Sequence, residues 1–126
     1  MDDSLRRAMQ ALTNPHSVAV IGASDDQNKV GFGVLKSLLE GCFFKSYNCS
    51  AFAGNVYPIN PHKSEILGRK CLARVQDVPE ELDLAVIAVP SIVVAQVMRD
   101  CAEKKVKSVI IISAGFAELG EEGKKM

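Results

Sequence analysis

Tryptophan is absent from this chain, and only seven of its 126 residues are aromatic. There is no surplus of charge: 15 basic side chains meet 15 acidic ones, without a basic cluster. That balance leaves no electrostatic footprint for nucleic acid or an anionic membrane. Apolar runs stop at six or seven residues, far short of the ~20 that span a bilayer. The opening Met1-Asp2-Asp3-Ser4 is acidic and has no apolar core of a secretory signal. The four cysteines, Cys42, Cys49, Cys71 and Cys101, lie 7, 22 and 30 residues apart. No C-x-x-C pair therefore marks a zinc site or a thioredoxin-type centre. Reduced thiols in a cytoplasmic protein are expected, and Asn48-Cys49-Ser50 is a glycosylation sequon by chance.

What is present is enough apolar sequence, 48% of residues, for the core of one ordinary domain. Residues 18–21, 56–59, 84–89 and 109–112 read as strands. Three of these are aliphatic runs without alternation, the pattern of strands covered on both faces of a parallel sheet. Pro58 cannot donate to a ladder, so it belongs at the strand's end or where its missing N–H faces away from a neighbour. Ser4 is expected to cap a helix burying Leu5, Met9 and Leu12 and ending at Asn14-Pro15. A second helix, about 30–40, buries Val34, Leu35, Leu38 and Leu39 and stops at Gly41. A third, capped by Ser91, buries Val94, Val97, Met98, Cys101 and Ala102. Cys71-Leu72-Ala73 adds a short strand. The alternation predicts an α/β, Rossmann-like open sheet, mainly parallel, of about five strands with helices on both faces.

Gly22-Ala23-Ser24 follows the first strand and precedes a helix that opens at Gly31 and Gly33. Such a corner turns backbone N–H groups and the positive helix end toward an anion. The dinucleotide fingerprint would need glycines at 22, 24 and 27, where this chain has Gly22, Ser24 and Gln27. Lys29 adds a positive charge beside the turn. The second strand ends in Tyr57-Pro58-Ile59-Asn60-Pro61-His62-Lys63, without the carboxylate that holds a nicotinamide cofactor's ribose diol. A neutral-then-basic end suits an extra ribose phosphate, as in coenzyme A or NADP. The other strand ends, Val89-Pro90-Ser91 and Ile112-Ser113-Ala114-Gly115, are small and apolar, fitting a flat adenine or a thin pantetheine arm.

Several ordered stretches together resemble the N-terminal coenzyme A-binding domain of NDP-forming acyl-CoA synthetases, and more distantly the succinyl-CoA synthetase α subunit. They are residues 17–24, 29–31, 56–61, 66–68, 83–90 and 109–118. The resemblance covers one domain, 1–126, apart from an insertion loop at 42–53. It implies that Gly22, Ala23 and Ser24 hold coenzyme A phosphates, with Gln27, Lys29 and Gly31 nearby. Asn60, Pro61 and Lys63 would flank the phosphorylated ribose, Val89 and Pro90 the adenine, and Ser113 and Ala114 the pantetheine. Neither His16 nor His62 matches the family's phosphohistidine, so no catalytic residue is assigned, and the chain alone is expected to bind coenzyme A or acyl-CoA without catalysis. Its partners would be the remaining synthetase domains or subunits. A coenzyme A module fused to a protein acetyltransferase is a variant of the same reading.

Two other classes stay open. An NADP-binding oxidoreductase domain is compatible with the basic corner, although no Tyr-x-x-x-Lys set is present. A ligand-free interaction domain would use the stretch 42–52, which holds four of the seven aromatics. Otherwise that stretch is a packed surface loop. The charged segment from Glu118 to Met126 reads as the start of a helix in a longer chain.

Overall fold

In the computed structural model, which describes residues 3–41 and 52–112, the chain begins with α1 (Asp3–Thr13), β1 (Ser17–Ile21), α2 (Val30–Glu40) and β2 (Asn55–Ile59). It continues through β3 (Glu65–Ile66), β4 (Arg69–Lys70), a 3-10 turn (Val75–Asp77), β5 (Leu84–Ile87), α3 (Ser91–Lys104) and β6 (Ser108–Ile111). The two most aliphatic strands, β1 and β5, are buried at every position. They lie together at the centre of a parallel sheet ordered β2-β1-β5-β6.

Strand alternation sends Ala19 and Ile21 to one face and Val18 and Val20 to the other. The first face packs on Val97 and Cys101 of α3, with Val75, Val78 and Leu82 completing the layer. Leu35, Val34 and Leu38 of α2 cover the second. Helices therefore sit on both faces. The described residues show four strands in this sheet, extended beyond β2 by a single parallel bridge from Ile59 to Leu72. Leu72 N–H donates to the Pro58 carbonyl, and Asn60 N–H donates to Leu72. A residue's N–H and C=O point to the same side of a strand, so the donor that Pro58 lacks would face this outer edge rather than β1. That resolves the tension of a proline inside a strand.

Four sequence expectations are corrected. Leu5, Met9 and Leu12 are 52%, 48% and 46% exposed, and α1 buries Ala11 instead. The helix lies against β6 through its small residues, with Ser108 Oγ donating to the Ala8 carbonyl, and this turns the larger side chains outward. Ser4 lies inside α1 rather than at its cap. Pro90, not Ser91, is the N-cap of α3, and Met98 and Ala102 remain exposed on that helix. Strands β3 and β4 form an antiparallel hairpin that the sequence reading did not anticipate. By contrast, α2 runs between the expected ends, and Gly41 closes it at φ 89°.

Candidate functional site

The chain passes from β1 to β2 on one side, then crosses back to place β5 on the other side of β1. Open α/β sheets bind ligands outside the carboxyl ends of their strands at such a reversal. Here that point is Gly22. Its φ of 92° lies in the left-handed region, and a Cβ there would stand 2.2 Å from the Ala88 carbonyl oxygen at the exit of β5. On the other side, a Cβ at Gly31 would meet the Gly22 carbonyl oxygen at 1.9 Å. Gly31 thus seats the first turn of α2 directly on the β1 exit. That contact accounts for the glycine at this position.

The turn is self-supporting. Ser24 Oγ accepts the Asp26 N–H at 3.0 Å, and Asp26 accepts from Asn28 at 2.9 Å. The Ser24 hydroxyl proton remains a donor, while the N–H groups of Ser24, Asp25 and Gln27 donate to none of the described residues. No side chain caps α2 at Lys29, so this helix end keeps unsatisfied donors and its positive dipole. Gln27 and Lys29 are exposed beside it. Ala23 differs: the whole residue is 1% exposed and packs in the core with Val20 and Leu35.

Asn60 joins the two strand ends. Its Nδ2 donates to the Ala23 carbonyl at 2.8 Å, and its Oδ1 accepts the His62 N–H at 2.7 Å. The side chain thus positions the turn after β2 against the turn after β1. Pro61 and Lys63 are exposed on that turn. Lys63 Nζ lies 3.0 Å from Asp25 Oδ2, a partner that the sequence reading passed over. The lack of a carboxylate at the end of β2 hid the one waiting across the gap. Val89 is half-buried against the core, and Pro90 is exposed at the start of α3. Ser113 and Ala114 lie outside the described residues, as does the aromatic stretch except Phe52. Phe52 donates its N–H to Leu38 and packs against Val18, Leu84 and Val86.

A cavity of about 320 Å³ opens at the opposite end of the sheet, lined by Arg7, Gln10, His16, Asp83 and Lys107 among others. Its chemistry is structural. Asp83 accepts the His16 N–H at 2.7 Å and pairs with Lys107 at 3.0 Å, while its own N–H donates to Ser17 Oγ. Burial raises the Asp83 pKa, but these bonds and the Lys107 charge outweigh it and hold the carboxyl below its ordinary value. Cys71 and Cys101 are buried free thiols. Burial, with Asp100 nearby, pushes Cys101 up to about 11. Burial raises Cys71 too, with added repulsion from Asp25 and Glu65. Neither is a thiolate nucleophile at neutral pH.

Fold and corner together define an α/β nucleotide-binding domain of the Rossmann type. Residues 16–122 match the CoA binding domain family, and the chain belongs to that family. It is 46% identical over 94% of its length to the acetate–CoA ligase (ADP-forming) I subunit alpha of Pyrococcus furiosus, covering 25% of that protein. Against the acetate–CoA ligase (ADP-forming) of Methanocaldococcus jannaschii the identity is 45% over 89% of the chain and 14% of the relative. Among solved structures, it matches a dinucleotide-forming acetyl-coenzyme A synthetase 1 from Ca. Korarchaeum cryptofilum with a TM-score of 0.75 and 43% identity. That match covers 94% of this chain and 24% of the other. The chain therefore spans a quarter or less of these relatives.

Proposed function

We propose that this domain binds coenzyme A or an acyl-CoA in the crevice at Gly22, as the nucleotide-handling module of an ADP-forming acyl-CoA synthetase. The observation that carries this reading is the corner itself, where free main-chain donors and an uncapped helix end lie across from a lysine-bearing turn. In this reading the N–H groups of Ser24, Asp25 and Gln27 and the start of α2 take the diphosphate, with the Ser24 hydroxyl and Lys29 beside them. Lys63 takes the ribose 3′-phosphate, and Val89 and Pro90 border the adenine. Family membership favours coenzyme A over the NADP and ligand-free alternatives.

Acyl transfer would be completed by further synthetase domains or subunits. The exposed isoleucines Ile110, Ile111 and Ile112 at the outer strand offer apolar surface for such a neighbour. No helix among the described residues is long and apolar enough to cross a membrane, and buried reduced thiols suit the cytoplasm.

Calorimetry with coenzyme A, dephospho-coenzyme A and NADP tests the reading. Coenzyme A should bind tightest. Loss of the 3′-phosphate should weaken binding by about 1–3 kcal/mol, and Lys63→Ala should remove most of that difference. Absence of heat with every coenzyme A form would end it.

A further inference from the structure

We infer that Asp25 is a built-in competitor for the coenzyme's extra phosphate: it holds Lys63 in the empty crevice and must release it on binding. The inference rests on the functional reading above and deepens it, because it assigns the selectivity of that same site to a residue outside the expected set.

Geometry separates Asp25 from its neighbour. Asp26 is built into the turn, where its side chain accepts the Asn28 N–H and its carbonyl accepts that of Lys29. The Asp25 carboxylate instead reaches across to a different strand end, and the Lys63 pair is its described polar contact. Both side chains are about half exposed, 56% for Asp25 and 47% for Lys63, so either can swing into solvent. The two turns do not depend on the pair to stay together, because the Asn60 side chain and the Gly22 N–H to Ile59 bond already join them. Breaking it leaves the frame intact.

An exposed carboxylate–ammonium pair is worth little and is readily exchanged. A phosphate dianion makes a stronger charge-assisted bond to the same ammonium and can displace the carboxylate. Asp25 then opposes binding by occupying the cation that the 3′-phosphate needs. That competition concerns the 3′-phosphate, so dephospho-coenzyme A should be nearly indifferent to it.

The test is a two-by-two titration of wild type, Asp25→Asn, Lys63→Ala and the double variant with coenzyme A and dephospho-coenzyme A, with circular dichroism confirming the fold of each. Asp25→Asn should bind coenzyme A about three- to tenfold tighter and dephospho-coenzyme A less than about twofold tighter. The gain should vanish in the Lys63→Ala background. Equal gains for both ligands, weaker coenzyme A binding, or a gain that survives Lys63→Ala would overturn the inference while leaving the functional reading standing. Failure of wild type to bind either form defeats that reading, and the inference with it.

Discussion

At the scale of single residues, the corner is defined by atoms that are missing. Gly31 carries no side chain because the Gly22 carbonyl oxygen occupies the place of its Cβ. The obstruction is backbone on backbone, so rotamer changes cannot relieve it. Gly31→Ala should therefore cost about 1–3 kcal/mol, as overpacking does, read as a lower urea midpoint at unchanged slope. Gly33→Ala supplies the contrast. It has open space around its Cβ position and should be neutral or slightly stabilising through helix propensity. The two glycines look alike in sequence, two positions apart on the same helix. Only the path of the β1 exit distinguishes them, and that is a tertiary fact. Asn60 was obscured in the same way. Its position at the strand end was legible, but a side chain that bonds Ala23 and His62 leaves no local trace of doing so.

Among the elements, those buried on two sides were the most legible. Apart from Ser17 at the entry of β1, the runs of β1 and β5 have no polar positions because both of their faces meet helices. The apolar period of α1 misled, since Leu5, Met9 and Leu12 share a face that the described residues leave uncovered. The β3–β4 hairpin was illegible because it holds two residues per strand, too few for any period to register. Its two-residue loop places Leu67 at φ 52° and Gly68 at φ 77°, the positive pair of a type I′ turn. Leucine is ill suited there, and its side chain is largely in solvent, 43% exposed. Leu67→Asn should raise stability by about 0.5–1 kcal/mol, measurable as a higher melting temperature.

Across the whole molecule, the proposed binding crevice and the anchoring cluster lie at opposite ends of one sheet. Parallel strands put Gly22, Asn60 and Ala88 at one end, and His16, Asp83 and Lys107 at the other. Asp83 connects the starts of β1 and β5, and through Lys107 the approach to β6. Its carboxyl pKa lies below the ordinary value, so the ionised form stabilises the native state at neutral pH. That contribution should be lost as pH falls below about 4 and through the lowered native value. Asp83→Asn should cost about 1–3 kcal/mol at pH 7 and flatten the acid limb of a stability–pH curve measured by denaturant titration. An unchanged acid limb would shift the dependence to other carboxylates.

Three stretches of main chain meet at Gly22, with the Val89 side chain beside them. A ligand bound there as proposed would encounter peptide groups whose chemistry mutation cannot alter, so divergence would have little to act on at the floor of the crevice. Any change in which cofactor is preferred must be written along its margins, at the exposed side chains of Asp25, Gln27, Lys29, Pro61 and Lys63, where substitutions spare the Asp26 and Asn60 bonds that hold the turns.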